Sequence, residues 1–258
     1  MRYIYILIIL GCLSCNNERV LQLPEIENAK VTEVLDVSPA YIFYDETQPD
    51  STLLNRKNLI ITTNWLVNVD KRLTLRQAIP HIKFLQDKKR NAEMHKNEDA
   101  KNYFTCNDTS IGSLGFLEFT DVEFITTNEI IDLQTEIKII DTSYKRNELD
   151  STKLVNSLSG IYYRNIDLKF GFINNKYIIF DDYKISNAEV AKPLFFDYLN
   201  YRIETELLAN AFKIKLHFSS SISFQEYIWI KSNLLKLNSK MVIIKHEEFI
   251  YETEKLDN

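Results

Sequence analysis

The sequence predicts an α+β fold of two related small lobes, each a mixed β-sheet with one or two helices packed on it. Two observations lead to this prediction. Similar segments recur in the same order in both halves of the 258-residue chain. In each half, a run of alternating apolar residues is followed directly by the signature of a helix start, so each copy combines strands with a capped helix.

Three pairs of similar segments carry the duplication. The pairs, with the first copy named first, are 41–46 with 177–182, 65–85 with 214–234, and 123–129 with 248–254. Because all three pairs occur in one order, they indicate two copies of one structural unit. We therefore predict a first repeat over residues 32–129, a connector over 130–165 and a second repeat over 166–254.

The middle pair predicts a strand that runs directly into a capped helix. Apolar side chains alternate along the predicted strands, at Trp65, Val67 and Val69 in the first copy and at Ile214, Leu216 and Phe218 in the second. Alternation of this kind is typical of a half-buried strand. Thr74 with Gln77, and Ser223 with Glu226, have the spacing of a capping box, in which each residue bonds the backbone amide of the other.

The two copies differ by insertions. Residues 88–113 of the first copy have no counterpart in the second, and this polar segment is predicted to be a loop. Loops of this length are usually functional or disordered. Its aromatic pair, Tyr103 and Phe104, is a candidate partner contact if the two rings are exposed. The second copy is predicted to open with a β-hairpin and to contain a helix over residues 186–208 that the first copy lacks.

The first residues of the chain have the pattern of a lipoprotein export signal. Arg2 precedes an apolar run over residues 3–10, which is far shorter than the roughly 20 residues that a membrane-spanning helix requires. The run leads into a Leu-Ser-Cys motif that ends at Cys15, and this motif resembles the lipobox of Bacteroidota-type lipoproteins. Cys12 is the alternative lipidation site, and an ordinary signal peptide cleaved nearby is the other interpretation.

The lipobox resemblance implies that residues 1–14 are a signal peptide and that a lipid on Cys15 anchors the mature chain in a membrane. Residues 15–31 are then predicted to be a tether to the folded lobes. Asn16 is not the acidic residue that retains some lipoproteins in the inner membrane. The outer membrane is therefore favoured, with the protein facing the periplasm.

Composition and motifs argue against several function classes. The net charge is −5 and no basic stripe is present, which argues against nucleic acid as a partner. The chain has 5 glycines and lacks a phosphate-binding loop, a dinucleotide fingerprint and a paired-histidine zinc motif. We therefore predict no enzyme, no catalytic residue, no cofactor and no metal site. Cys106 would be the one unmodified thiol of the mature chain, so no internal disulfide is expected.

Acidic residues recur at the ends of strands in both copies, at Asp45 in the first and Asp181 in the second. Such carboxylates could contact a partner, or serve in acid–base chemistry if they shared a cleft that perturbed their pKa values. Turn residues are the favoured interpretation, because aspartate side chains commonly bond the backbone of a turn. The cluster of Glu247 and Glu248 next to His246 is interpreted as surface charge.

The second copy reads hairpin, helix, strand, capped helix, strand, and this order resembles the periplasmic domain of the ExbD/TolR family of biopolymer transport proteins. The resemblance covers residues 168–251, with its best part at 213–251. It implies an envelope domain that binds peptide or protein segments, by addition of a strand to a sheet edge. The membrane helix of that family carries an aspartate for proton-coupled work. Residues 3–10 contain no carboxylate, so no motor function is implied here.

These observations predict a non-enzymatic, lipid-anchored binding or scaffolding protein of the Gram-negative cell envelope, which could serve as an accessory to a transport machine. Its expected partners are the membrane, through the anchor, and a protein or peptide of the envelope. The alternative from another class is an envelope hydrolase whose site is assembled from dispersed residues. That alternative requires a pocket that joins Asp45 or Asp181 to a histidine.

Overall fold

The computed structural model describes most of the two predicted repeats. The described residues are 20–93, 97–130, 163–173, 176–181, 184–187, 196, 199, 211–237 and 242–252. The predicted signal peptide with Cys12 and Cys15, most of the predicted connector and most of the predicted helix over 186–208 lie outside these residues. Within the described part, no helix is long and apolar enough to span a membrane.

Twelve strands and two helices are defined within the described residues. The first half contains β1 (Glu25–Ile26), β2 (Val37–Tyr44), β3 (Thr52–Asn55), β4 (Asn64–Val69), α1 (Leu75–Arg90), β5 (Asn102–Asp108), β6 (Ser113–Glu118) and β7 (Glu123–Ile130). The second half contains β8 (Tyr163–Ile173), β9 (Lys176–Asp181), β10 (Lys184–Asn187), β11 (Ala211–Ser219), α2 (Phe224–Leu237) and β12 (Val242–Glu252). Both halves place a strand directly before a helix, as the alternating patterns and capping boxes predict.

The first mixed sheet is built around three parallel strands. Its order is β3, β2, β4, β5, with β2, β4 and β5 parallel to one another and β3 antiparallel to β2. β6 pairs antiparallel with one edge of β5. β1 pairs parallel with the other edge of β5, beyond the residues that pair with β4. The end of β5 is thus held between β6 and β1.

The second sheet repeats this order. Its strands run β9, β8, β11, β12, with β8, β11 and β12 parallel to one another and β9 antiparallel to β8. β10 extends the sheet beyond β9, and β7 lies parallel to the free edge of β12. Each sheet has one long helix between its last two parallel strands, so the predicted fold of two related mixed α and β lobes is confirmed.

The topology corrects the predicted boundaries of the first repeat. The strand that closes the first sheet is β5, which lies inside the segment 88–113 that is predicted to be a polar loop. The third pair of similar segments is misaligned, because β7 is the neighbour of β12 and not its counterpart, with Phe124 beside Glu248. The first half therefore contributes a strand to the second sheet, and residue 129 is not a boundary between independent lobes.

One continuous hydrophobic core connects the two halves. The ring of Phe104 in β5 lies 5.2 Å from the ring of Phe224 and 6.2 Å from the ring of Tyr227, both in α2. Phe124 in β7 lies 6.3 Å from the same Tyr227 ring. Buried aromatic rings contribute large apolar areas to a core and gain further from edge-to-face contact. The second helix is therefore packed against residues of both sheets.

The starts of the two helices are bonded to each other reciprocally. Thr74 and Ser223, the residues before α1 and α2, form an antiparallel bridge. Four backbone hydrogen bonds surround this bridge in two matched pairs. In the first pair, the amide of Leu75 donates to the carbonyl of Ile222 at 3.0 Å and the amide of Phe224 donates to the carbonyl of Leu73 at 2.6 Å. In the second pair, the amide of Arg76 donates to the carbonyl of Ser220 at 2.8 Å and the amide of Gln225 donates to the carbonyl of Lys71 at 3.2 Å. Each of these bonds has an equivalent bond at the aligned residues of the other copy, so the two strand–helix junctions are related by a local two-fold axis.

Both predicted capping boxes are present at these helix starts. Gln77 Oε1 accepts a bond from the Thr74 amide at 2.9 Å, and Glu226 Oε2 accepts one from the Ser223 amide at 3.4 Å. The Ser223 hydroxyl in turn accepts from the Glu226 amide at 3.2 Å. The first amides of a helix have no acceptor within that helix. Here they are satisfied by the capping side chains and by carbonyls of the other copy.

The segment before β2 is bonded to both halves. The carbonyl of Gln22 accepts from the amide of Lys71 at 2.8 Å, next to the start of α1. The ammonium of Lys30 donates to the carbonyl of Leu235 in α2 at 2.7 Å. The prediction of a tether over residues 15–31 is therefore wrong from Gln22 onward, because that part belongs to the folded body.

Replacement of Phe104 tests the shared core. Phe104→Ala should lower the free energy of unfolding by about 3–5 kcal/mol, because it removes a buried ring that contacts both halves. Each half carries one tryptophan, Trp65 in β4 and Trp229 in α2, so Trp229→Phe and Trp65→Phe backgrounds each report on one half. Urea denaturation followed by fluorescence should shift to lower urea in both backgrounds by the same amount.

The matched control is Phe84→Ala, which removes an exposed ring from α1 and should change the unfolding free energy by less than about 1 kcal/mol. A Phe104→Ala shift seen in the Trp65 signal alone would mean that the two halves unfold independently.

Candidate binding groove

The predicted aromatic contact pair is part of the core. Tyr103 and Phe104 lie in β5, and their side chains are 8% and 1% exposed. Phe104 also stacks on Phe119, with the ring centroids 3.8 Å apart. The prediction of an exposed aromatic pair is therefore wrong, because β5 has neighbouring strands on both edges and α2 against the Phe104 ring.

Asp45 closes a turn at the end of β2. Its carboxylate accepts bonds from the amide and the hydroxyl of Thr47, at 3.1 and 2.6 Å, and its own amide donates to the carbonyl of Ser51 at 2.9 Å. This is the favoured interpretation of the residue, an aspartate that bonds the turn after its strand. Asp181 ends β9, and its side chain lies outside the described part of the structure.

The hydrolase alternative requires a pocket that joins Asp45 or Asp181 to a histidine. His81 Nε2 lies 2.8 Å from the hydroxyl of Thr52, which donates to Asp50 at 2.6 Å. Thr52 is buried, and both its amide and its hydroxyl are bonded to Asp50, which closes the turn before β3. Asp45 lines neither the groove beside α2 nor the groove at the end of α1, and His246, which lines the latter, is therefore not joined to Asp45 there. The described residues also contain no group of three His, Cys, Asp or Glu side chains that could hold a metal ion.

Glu248 is a buried charge and not a surface residue. Its carboxylate is bonded to the ammonium of Lys231 and accepts from the hydroxyl of Tyr227 at 2.9 Å, both from α2. Burial and the neighbouring carboxylate raise the pKa of Tyr227 well above its usual value. The interpretation of Glu248 as surface charge is wrong, because it shares the inward face of β12 with Ile250. The ion pair of Glu248 with Lys231 joins α2 to the sheet against which it packs.

A groove of about 500 Å³ lies between β1 and the outer side of α2. One wall is formed by β1 and the residue that follows it, Glu27. The other wall is a stripe of α2 residues spaced three or four apart, namely Gln225, Trp229, Ser232, Asn233 and Lys236. This spacing places the side chains on one side of the helix. The groove therefore runs along α2.

The side chain of Gln225 is bonded to β1 as a neighbouring strand would be. Its Oε1 accepts from the amide of Glu25 at 2.8 Å, and its Nε2 donates to the carbonyl of Glu25 at 3.0 Å. β5 pairs with the other edge of β1. Glu27, in the bend that follows β1, has a backbone amide and carbonyl with no hydrogen-bonding partner among the described residues. The groove thus contains one residue with unpaired backbone groups next to the strand.

Aromatic and charged side chains flank this edge. The rings of Trp229 and Phe196 meet edge to face at 5.1 Å and both line the groove. Trp229 is partly buried, whereas Trp65 in β4 is fully buried. Glu27 on one wall and Lys236 on the other carry opposite charges. The groove therefore combines an apolar surface with one charged side chain of opposite sign on each wall.

The matching side of α1 holds an extended segment of the chain itself. Lys83, which aligns with Ser232, donates from its ammonium to the carbonyl of Phe124 in β7 at 2.9 Å. Gln86 Nε2 donates to the carbonyl of Val122 at 2.9 Å, just before β7. In the first copy, side chains of the helix thus bind the backbone of a segment that lies beside the helix. Ser232, the counterpart of Lys83 in α2, lines the groove, whereas Leu235, the counterpart of Gln86, is not one of the lining residues.

A second groove of about 430 Å³ lies at the end of α1 and is lined by Lys89. The Lys89 side chain is 7% exposed, and its ammonium donates to the carbonyls of Thr63 and Lys101 and to Oδ1 of Asn102, at 3.1, 3.0 and 3.2 Å. Burial lowers the pKa of this ammonium to about 8. The three acceptors lie directly before β4 and directly before or at the start of β5, so the ammonium of Lys89 fixes the end of α1 to the first sheet.

The chain matches no protein-family model, no curated protein and no solved structure. The function is therefore inferred from the geometry of the groove. Its β1 wall lies in the segment predicted to be a tether, so the sequence pattern does not reveal the groove. The available signal is Trp229, an aromatic residue in a stripe of α2 that is otherwise polar.

Lys89 makes folding depend on pH in the alkaline range. The native pKa of about 8 lies below the unfolded value of 10.5, so between these values the unfolded chain holds a proton that the native protein has released. The contribution of Lys89 to the unfolding free energy should therefore rise from pH 8 to 10.5. Urea denaturation at pH 7.5 and 10 should show this gain relative to Lys89→Met, which has no titrating group at this position.

If the unfolding free energies of the parent protein and Lys89→Met differ by the same amount at pH 7.5 and pH 10, the Lys89 ammonium is not desolvated. Exposed Lys88, the preceding residue, supplies the control, because Lys88→Met should leave the pH dependence as it is in the parent protein.

Proposed function

We propose that this chain is a non-enzymatic, lipid-anchored binding protein of the Gram-negative cell envelope, and that the groove between β1 and α2 accepts an extended segment of a partner protein. The observation that carries the proposal is the bonding of the Gln225 carboxamide to both backbone groups of Glu25. The Gln225 carboxamide thus makes the two hydrogen bonds to Glu25 that the backbone of a neighbouring strand would make. A peptide in the groove can bond the backbone groups of Glu27, the residue that follows β1.

The chemistry of the groove favours one class of occupant. A peptide added at a strand edge gains main-chain hydrogen bonds, and its alternate side chains enter pockets beside the edge. Trp229 and Phe196 supply an apolar wall for one such side chain. Glu27 and Lys236 supply opposite charges for its flanking residues. The proposed ligand is therefore an extended segment that presents an aromatic or aliphatic side chain between charged neighbours.

The location of the site follows from the lipobox. Lipidation of Cys15 would place the protein on a membrane, facing the periplasm, with the outer membrane favoured. The resemblance to the ExbD/TolR periplasmic domain supports a role as an accessory of a transport machine in the envelope. In this proposal the protein binds and positions a segment of that machine, and it performs no chemistry on the segment.

The proposal predicts cross-linking that is specific to the groove. A photoreactive phenylalanine analogue in place of Asn233 should cross-link the lipidated full-length protein to one partner segment in intact envelopes, and mass spectrometry of the cross-linked peptide identifies that segment. The same analogue in place of Phe84, the aligned and exposed position of α1, is the matched control. We expect at least fivefold more product from position 233 than from position 84.

A synthetic peptide of the identified segment gives the quantitative test. Trp229→Ala should weaken its binding about tenfold or more, which corresponds to about 1.4 kcal/mol or more, as expected for a buried aromatic contact. Phe84→Ala should change the affinity by less than about twofold. Fluorescence of Trp65 verifies that the Trp229→Ala variant is folded. Equal cross-linking from positions 84 and 233, or equal affinities of the two variants, would contradict a groove site.

A further inference from the structure

We infer that the loop at the tip of the β5–β6 hairpin rests in the lipid interface beside the anchor, with Ile111 as the inserted side chain. This inference rests on the proposed lipidation of Cys15. It adds a second contact with the membrane and gives the body a fixed orientation on it.

The distance from the anchor to the folded body is short. Gln22 is bonded to the residues that follow β4, since its amide donates to Asp70 at 3.2 Å and its carbonyl accepts from Lys71. Gln22 is the seventh residue after Cys15 in the sequence. An extended chain spans at most about 3.5 Å per residue, so this end of the body lies within about 25 Å of the lipid.

The hairpin tip lies at the same end of the first sheet. β4 and β5 are parallel, so Asp70, directly after β4, and Thr109, directly after β5, mark one end of the sheet. The amide of Thr109 donates to the carbonyl of Ile26, and the amide of Asn28 donates to the hydroxyl of Ser110 at 3.0 Å. The tip is thus attached to the same amino-terminal segment that leads to the anchor.

The chemistry of the tip suits the lipid interface. The loop Thr109–Ser113 contains no charged residue. Ile111 is 51% exposed, and Leu114 at the start of β6 is 42% exposed. The carboxylate that directly precedes the loop, that of Asp108, is buried and accepts bonds from the amide of Ser110 at 2.9 Å and the amide of Ala29 at 2.7 Å. No desolvation of an exposed charge opposes insertion of this loop.

The two cations directly after Asp70, Lys71 and Arg72, are each paired with a carboxylate, whereas Glu27 beside the tip is exposed. Lys71 forms an ion pair with Glu25 at 2.6 Å, and Arg72 forms one with Asp70 at 2.8 Å. Because both of these cations are already paired, the contact with lipid depends on apolar burial and not on attraction to anionic headgroups. The inferred contact should therefore be insensitive to salt.

A fluorophore at the tip tests the inference in the lipidated full-length protein. Ile111→Cys can be labelled selectively, because the thiol of Cys106 is fully buried and burial raises its pKa. Ile60→Cys is the matched control, since Ile60 is an equally apolar and 57% exposed residue near the opposite end of β4. Both proteins are reconstituted into phosphatidylethanolamine and phosphatidylglycerol vesicles that contain lipids spin-labelled near the headgroup.

Quenching of the label at position 111 should exceed quenching at position 60 by at least twofold, in 0.1 M and in 0.5 M salt. Equal quenching at the two positions in protein that floats with the vesicles would overturn the inference and leave the anchor intact. Protein that fails to float, or a Cys15→Ala variant that floats as well as the parent, would instead contradict the proposed lipid anchor.

Discussion

Thr74 and Ser223 lie side by side, and the backbone around each is bonded to the backbone around the other. The first amides of a helix have no acceptor in that helix, and a buried amide without a partner costs about 1–3 kcal/mol. In this protein the first two amides of α1 are satisfied by carbonyls before α2, and the first two of α2 by carbonyls before α1. This reciprocal bonding fixes one copy against the other. The placement of β7 in the second sheet and the contacts of Phe104 with α2 join the two copies further.

The features that the sequence predicts correctly are local. Alternating apolar residues before Thr74 and Ser223, followed by capping boxes, define both strand–helix units, because each pattern is contained in about fifteen residues. The strand β5 is not predicted, because its side chains are buried on both faces and therefore show no alternation, and the segments that bury them come from elsewhere in the chain. Glu248 escapes it because its partners, Lys231 and Tyr227, come from the helix before it. The groove depends on a bond between Glu25 and Gln225, which are 200 residues apart in sequence.

The same joining of copies explains how a groove arises beside α2. Lys83 in α1 and its counterpart Ser232 in α2 both lie beside a segment outside their own strand–helix unit. Beside α1 that segment is β7, which is bonded through Lys83. Beside α2 it is β1, which is two residues long and ends before Glu27. The amino-terminal segment that forms β1 also leads to Cys15, so the anchor, the inferred lipid contact at Ile111 and the groove would be arranged around one short stretch of chain.

Native-state hydrogen exchange at the amides of Leu75 and Phe224 tests the central claim most directly, because these amides form the matched bonds between the two helix starts. If the copies are held together as described, both amides exchange only through global unfolding, and their exchange free energies equal each other and the unfolding free energy measured with urea. Exchange of either amide at the rate of an exposed helix terminus would contradict the account.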